Sequence, residues 1–393
     1  MSFLREDLTQ LAAYKSPQPT GSDSKLDIAQ PVLDSLDTNE SPIDLPDDLK
    51  AELADTYRSQ ILANRYPNGD HWSLKQAVAT YAACSGKVAP MALGPENITL
   101  GNGSDELIRS VLIATCLGNY GSILVSEPTF SMYSILARTL GIPVHRIQRL
   151  ANFEVDVAAA QLAIDSIEKT PEKTSPPVRA VFMVHPNSPT GNALTQQELD
   201  WLKKLPVNIL VVVDEAYFEF SDRTTIAEAL SRPNWLVLRT FSKAFRLAAH
   251  RVGYGVAHPD IISALEKLRL PYNLPSFSQA AALTALTHSD RLLKQIPAII
   301  SERDRLIEVL SEHPYIRVWP SDSNFIYIRL SDRGQAALNV TQQSDGLDKM
   351  LEQLRAKGTL IRHTGGGLRI SIGTTAENQR TLANLQQVLG SKQ

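Results

Sequence analysis

Cysteine is nearly missing from this sequence: Cys84 and Cys116 are its only two. Two thiols give neither a disulfide framework nor a Cys-rich zinc site, so no metal is expected, and free thiols in a reducing compartment are. Long apolar runs are missing as well. No uninterrupted stretch of about 18 apolar residues occurs, so no membrane span is expected. The first residues, Met1 to Asp7, carry acids early and have no apolar centre, which argues against a signal peptide and for a cytoplasmic protein. An excess of one charge is the third absence. Lys and Arg number 39 against 42 Asp and Glu, a net charge of -3. Neither nucleic acid nor an anionic membrane is therefore expected as the main partner. Internal repeats, low-complexity tracts and heptads are absent too.

The chain has 393 residues, 43% of them hydrophobic, which suffices for one large or two medium domains with a substantial core. Residues 1–35 read as an irregular, proline-containing arm over a larger body. Helical spacing is predicted over 49–63 and 74–85, broken between them by Asn64-Arg65-Tyr66-Pro67-Asn68-Gly69. Short apolar strands are predicted at 98–100, 122–126, 144–147, 180–184, 209–213 and 235–239. Helices are predicted at 107–117, 132–140 and 195–205, and a polar, proline-rich loop at 170–177. Apolar strands alternating with amphipathic helices predict an α/β fold with a mainly parallel sheet covered on both faces. After Ile261 the pattern changes. A proline-rich junction, Leu270 to Ser276, leads to one long helical stretch over 277–310 with Pro297 as a break. Strands at 316–318, 325–328 and 368–372 and a helix at 347–357 then predict a smaller α+β domain. The boundaries read as 1–60 for the arm and part of the small domain, 61–275 for the large domain and 276–393 for the C-terminal small domain.

In such sheets ligands sit beyond the carboxyl ends of the strands, and Asn187, Asp214, Tyr217, Ser242 and Lys243 all fall there. Lys243 follows a buried strand and can form an imine with a carbonyl cofactor. Ser242 and Arg251 could hold an anionic group such as a phosphate. Gly101-Asn102-Gly103-Ser104-Asp105-Glu106 opens a helix, so its N–H groups make an anion site, or Ser104 or Asp105 is an ordinary N-cap. Asp214 closes a strand of five apolar residues. A carboxylate there needs a cation, such as a protonated pyridine nitrogen, unless it caps a helix or pairs within the core. Tyr217 and Asn187 could hydrogen-bond a phenolic oxygen of the same ring. Phe130 could stack on a flat ring or be plain core.

Together these residues fit pyridoxal phosphate, which needs a lysine, an acid for its ring nitrogen and a phosphate cup. The chain here resembles the fold-type I aminotransferases and, within them, the histidinol-phosphate aminotransferases. The resemblance covers nearly the whole length. It rests on Leu36-Asp37-Thr38-Asn39-Glu40-Ser41-Pro42, Asn64-Arg65-Tyr66-Pro67, Gly101 to Glu106, Pro128-Thr129-Phe130 and Asn187-Ser188-Pro189-Thr190-Gly191. It continues through Asp214-Glu215-Ala216-Tyr217, Ser242-Lys243-Ala244-Phe245, Ser321 to Phe325 and Gly367-Leu368-Arg369-Ile370. It implies a large domain with a mainly parallel seven-stranded sheet between helices, plus a smaller α+β domain.

The resemblance also implies roles. Lys243 is the imine lysine and proton shuttle, and Asp214 the partner of the ring nitrogen. Asn187 and Tyr217 contact the ring oxygen. Ser242, Arg251 and the N–H groups of Ser104 and Asp105 hold the phosphate, and Tyr66 reaches it from the partner subunit of a homodimer. Arg369 binds the carboxylate of the amino-acid cosubstrate. Arg362, before His363-Thr364-Gly365-Gly366-Gly367, a loop mobile enough to adapt, meets a substrate phosphate unless it is a solvated surface arginine. Asn39 is carried over as a substrate contact. The implied reaction is transamination of L-histidinol phosphate with 2-oxoglutarate, giving imidazole-acetol phosphate and L-glutamate in histidine biosynthesis. Ser188 stands where many relatives have a second Asn, and Phe130 where many have Tyr. Rival activities on the same scaffold are an aminotransferase for aromatic or other amino acids, or a lyase such as the threonine-phosphate decarboxylases. A coenzyme-binding transcription regulator would need a DNA-binding module ahead of Asp37, and the short arm has no helix-turn-helix.

Overall fold

A computed structural model describes Phe3, Arg5 and residues 33–169 and 175–390. Most of the arm expected over 1–35, and residues 170–174 of the expected polar loop, lie outside the described residues.

Seven strands form the large sheet: β2 (Ile98–Asn102), β3 (Ser122–Glu127), β4 (Val144–Gln148), β5 (Val178–Val184), β6 (Leu210–Asp214), β7 (Trp235–Thr240) and β8 (Val252–Ala257). A two-residue strand, β1 (Asp34–Ser35), precedes them. The spatial order is β2-β8-β7-β6-β5-β3-β4. β8 runs antiparallel to both its neighbours and every other pairing is parallel, as a mainly parallel sheet requires. The central strands read as continuous apolar runs because both faces are covered. Successive side chains alternate between two cores. Val181 and Met183 join the core that holds Trp201 and Leu202, while Phe182 and Val184 join the one that holds Val111 and Tyr133.

Several elements were not anticipated, helices Pro259–Leu268 and Thr375–Leu389 among them. Helix Val157–Lys169 links β4 to β5 and sets Ala160 and Ile164 into the first core. β8 carries Gly253 and Gly255, which weaken a strand pattern. Both glycines answer close approach. A Cβ on Gly253 would stand 2.5 Å from the Ser104 nitrogen, and one on Gly255 3.0 Å from Thr99 Cγ2.

A second, antiparallel sheet has the order β12-β13-β10-β9, from β9 (Ile316–Val318), β10 (Phe325–Leu330), β12 (Arg362–Thr364) and β13 (Gly367–Ser371). β1 pairs in parallel with β11 (Thr359–Leu360), which ties the chain's early segment to this body. Helices Ile296–Ser311, Gln343–Ala356 and Thr375–Leu389 cover it through Leu306, Met350 and Leu385. Helix Ser276–Thr287, read from the sequence as part of this second body, packs Ala281 and Ala285 into the first core beside Leu49 and Leu53.

Two expectations need correction. The stretch 277–310 is not one helix broken at Pro297. It is three helices, Ser276–Thr287, Ser289–Leu293 and Ile296–Ser311. Pro297 sits in the first turn of the last one, where a missing N–H breaks no bond. The segment after Arg362 is not an adaptable loop. It is the hairpin β12–β13, with Arg362 opposite Arg369 and Thr364 opposite Gly367. Gly365 and Gly366 turn it with φ of 60° and 73°, the left-handed geometry that two-residue hairpins use.

The fold gathers the carboxyl ends of β2, β5, β6 and β7 along one edge of the large sheet, and helix Gly103–Cys116 starts there directly after β2. Gly253 supports that helix start: an added Cβ would meet the Ser104 nitrogen at 2.5 Å and the Gly103 carbonyl carbon at 2.7 Å, both backbone atoms that cannot swing away. Gly253→Ala is expected to lower unfolding free energy by about 1–3 kcal/mol, the usual range for overpacking. It should also weaken binding of a phosphate-bearing ligand at the helix start. Denaturant melts and a binding titration check this, and wild-type values in both would show that the helix start shifts without cost.

Candidate active site

A cleft of about 210 Å³ lies where the edge of the large sheet faces the second body. Ten of the residues expected from the sequence line it. Lys243 stands at its centre. Its Nζ donates to the Thr38 carbonyl at 2.7 Å. Burial pushes its pKa down. Tyr217 and Glu40 oppose that, while Arg369 and Arg251 add to it. An amine shifted this way loses its proton more readily, as attack on a carbonyl requires.

Asp214 forms the floor of the cleft at the end of β6. Its Oδ2 accepts from the Tyr133 hydroxyl at 2.7 Å and its Oδ1 from the Ala216 N–H at 3.1 Å. Burial still pushes its pKa up to about 6. A buried carboxyl in this state calls for a cation beside it. Tyr133 was missed in the sequence, although it stands only three residues beyond Phe130. The two rings meet edge to face at 5.5 Å, and Tyr133 stacks on Phe182 at 4.8 Å. Phe130 itself lines the cleft. Burial first and the Asp214 charge second hold the Tyr133 hydroxyl protonated, so it remains a donor.

The anion cradle occupies another wall. Ser104 and Asp105 are in the first turn of helix Gly103–Cys116, with Gly103 at φ 73° and its N–H donating to the Arg251 carbonyl. Arg251 donates to Ser242 Oγ at 3.2 Å and to Asp105 Oδ2 at 3.3 Å. The hydroxyl of Thr240, not expected from the sequence, donates to Ser242 Oγ at 3.0 Å. Asp105 Oδ1 is buried without a hydrogen-bond partner among the described residues. Burial raises the pKa of this carboxyl, against the pull of Arg251 and Lys243.

Arg369 and Arg362 face the cleft from the second body. Arg369 donates to Ser188 Oγ at 3.1 Å and to the Asp37 carbonyl at 2.7 Å. Ser188, the departure noted in the sequence, thus helps hold this arginine. Three expected residues lie off the cleft wall. Asn39 stands behind Tyr217: its Nδ2 donates to the Tyr217 hydroxyl at 2.9 Å, which leaves the phenolic proton free to be donated. Asn187 has its amide engaged. Nδ2 donates to Thr190 Oγ1 at 2.6 Å and to the Pro128 carbonyl at 3.1 Å. Its Oδ1 accepts from Thr129 and Arg149, each at 3.2 Å. Arg149, also missed in the sequence, donates besides to the Ser126 and Phe153 carbonyls. Tyr66 is 80% exposed and stacks on Tyr272 at 4.6 Å.

This donor set fits a small planar molecule with three features. They are a phosphate for the helix start, Ser242 and Arg251, a basic ring nitrogen for Asp214, and a carbonyl carbon for Lys243. The glycine at 103 and the one at 253 leave the cradle open, since a Cβ on Gly103 would lie 2.6 Å from an Arg251 guanidinium nitrogen.

Known proteins resemble this chain. The profile of the aminotransferase class I and II family matches residues 33–385. A histidinol-phosphate aminotransferase from Trichodesmium erythraeum is 54% identical over 390 residues, covering 98% of this chain and 99% of that protein. The histidinol-phosphate aminotransferase of Sinorhizobium meliloti, solved in complex with pyridoxal 5'-phosphate, superposes with a TM-score of 0.75 at 21% identity, covering 91% of each chain. An L-threonine-O-3-phosphate decarboxylase from Porphyromonas gingivalis superposes at 0.69 with 20% identity, covering 90% of this chain and 99% of that one. At such identities the superpositions establish the fold alone.

The Asp214 carboxyl makes a testable cost. In the cofactor-free protein its raised pKa means the unfolded chain gives up this proton first. Below about pH 4 both states hold the proton and no penalty exists. As pH climbs from there through about 6 the penalty on the fold grows, then levels off. Its ceiling is about 3 kcal/mol. Asp214→Asn should therefore melt higher than the wild type at pH 7–8 without cofactor, with the gap closing at acid pH, while its turnover collapses. Melting curves that stay parallel across pH would refute the desolvation argument.

Proposed function

We propose transamination between L-histidinol phosphate and 2-oxoglutarate as the reaction of this chain, which belongs to the aminotransferase class I and II family. It is a pyridoxal-phosphate-dependent aminotransferase. The donor is the finer question, and one observation carries it. Two arginines, Arg362 and Arg369, stand opposite each other on β12 and β13 and both line the cleft. One acid in the pair of substrates is a carboxylate beside the reacting carbon and the other a phosphate, and a guanidinium binds either with two bonds.

The positions support the following roles. The first-turn N–H groups at Ser104 and Asp105, with Ser242 and Arg251, hold the cofactor phosphate. Phe130 would cover the ring face. Asp214, fixed by Tyr133, would keep the ring nitrogen protonated. Tyr217, oriented by Asn39, would donate to the ring oxygen, and Asn187 would support the same wall. Bound pyridoxal phosphate supplies the conjugated ring that absorbs the electron pair left when the donor carbon loses its proton. Lys243 removes that proton from the carbon bearing the amino group, and its lowered pKa keeps the neutral amine accessible. Arg369 fixes the carboxylate of glutamate or 2-oxoglutarate, and Arg362 the phosphate of the donor. Release of carbon dioxide without a keto acid would instead assign the chain to lyase chemistry.

A homodimer in the cytoplasm completes the reading. Tyr66, Trp72, Leu270 and Tyr272 are large apolar side chains left exposed, and Tyr66 stacks on Tyr272, which supports a partner surface there. Tyr66 would reach the phosphate of the partner's site. No helix among the described residues is long and apolar enough to cross a membrane.

Two experiments test this. Arg362→Ala should mainly raise KM for histidinol phosphate, while Arg369→Ala impairs both half-reactions. A charge-assisted contact is worth about 1.5–3 kcal/mol, so each loss should be about ten- to hundredfold in kcat/KM. A wild type that prefers an unphosphorylated aromatic donor by a wide margin would sink the donor assignment. Mixing inactive Tyr66 and Lys243 variants should restore part of the activity through hybrid dimers, and full activity at dilutions holding only monomer would contradict the shared site.

A further inference from the structure

We propose that Tyr327 and Arg329 are positioning residues that fix where Arg362 stands in the cleft, and so set the preference for a phosphorylated donor; the donor half of this claim rests on the reading above. The hairpin tip between β12 and β13 is held from two sides. In front, a Cβ on Gly365 would lie 2.7 Å from Pro128 Cβ and 2.9 Å from Pro189 Cγ. Behind, a Cβ on Gly367 would lie 2.5 Å from Tyr327 Cζ. The glycines are therefore seats, one for two prolines of the first body and one for the tyrosine ring.

Hydrogen bonds finish the clamp. The Tyr327 hydroxyl donates to the Gly365 carbonyl at 2.6 Å, and Arg329 Nη2 donates to the same oxygen at 2.8 Å. Arg329 is held over the Phe153 ring at 4.9 Å, and Phe153 belongs to the segment after β4 in the first body. The ladder carries this hold to the substrate site. Tyr327 is opposite Arg369 across β10–β13, and Arg369 is opposite Arg362 across β13–β12. Directly opposed residues share a face, so the three form one row across three strands. Loosening the tip lets the short strand β12 shift against β13, which displaces Arg362 at once. Arg369 lies on β13, paired on both sides and bonded to Ser188 and the Asp37 carbonyl, and stays in place.

The test uses the cofactor-loaded enzyme. Tyr327→Phe removes one hydroxyl and keeps the ring in its seat. Arg329→Met removes the second donor. Each should raise KM for histidinol phosphate about two- to tenfold, the range for one net hydrogen bond. KM for 2-oxoglutarate and the absorbance of the bound cofactor should stay at wild-type values. In an Arg362→Ala background the same substitutions should add nothing, because they act through that arginine. Equal losses for both substrates, or full additivity with Arg362→Ala, would overturn the proposal. Amide exchange at residues 364–367 gives a readout that does not depend on the donor. It should quicken in Tyr327→Phe, and unchanged exchange overturns the positioning role whatever the enzyme's substrate proves to be. Failure of the wild type on histidinol phosphate, with quickened exchange, would overturn the donor reading alone. Should Arg329→Met fold poorly, Arg329→Lys retains the charge and loses the fork, and the same KM split decides.

Discussion

The structure is built around an acid placed at the end of an apolar strand. Asp214 follows Val211, Val212 and Val213, all fully buried, and is itself only 3% exposed. Its own carbonyl accepts from the His185 N–H, which fixes the turn after β5 that leads to Asn187 and Ser188. Such a carboxyl is costly without a cation, and two donors do not remove the cost. On the proposed function, the cost is offset by a protonated ring nitrogen that the carboxyl would face. Tyr133 must then stay in register to hold the carboxyl's direction, and the stack on Phe182 and the contact with Phe130 provide that. Phe130, Tyr133, Phe182 and the carboxyl are one packed unit.

The field above that acid serves two purposes. Arg251, Arg362 and Arg369 line the same cleft as Lys243, and they attract phosphate and carboxylate groups. Arg369 and Arg251 also add to the burial that lowers the lysine's pKa. Binding of anionic partners and readiness of the amine thus come from one set of charges. Tyr217 and Glu40 work against this shift, and Asn39 holds the Tyr217 hydroxyl in place.

Much of this was legible in the residues, and for a physical reason. Strands buried on both faces are written as apolar runs, so β3, β5, β6 and β7 could be read directly, and the residues after them mark the edge where ligands bind. β8 could not, because its glycines answer to neighbours that the sequence does not name, the start of helix Gly103–Cys116 among them. Tyr133 and Arg149 escaped notice because their partners, Asp214 and Asn187, lie 81 and 38 positions away. Nothing local marks a tyrosine or an arginine as part of a distant network. The run Gly365-Gly366-Gly367 misled in the other direction. Glycine density reads as mobility, yet here it records a tight turn and a close tyrosine ring.

The two bodies of the molecule meet within the site rather than beside it. Lys243 of the first reaches the Thr38 carbonyl, and Arg369 of the second reaches Ser188. At the rim, Phe153 holds a left-handed φ of 65° while Arg149 and Asn192 grip its carbonyl, and its ring packs against Trp319 and Tyr327. A phenylalanine in that conformation is strained, and it persists because both its ring and its carbonyl are held. Arg149 grips Asn187 with the same guanidinium. The strained residue therefore links the second sheet to the turn that carries Asn187. Lys243, Arg369 and Phe153 are joined there by the Asp322 N–H donating to the Gly191 carbonyl and by Tyr217 packing edge to face on Phe325, so the contacts between the bodies run through the cleft itself.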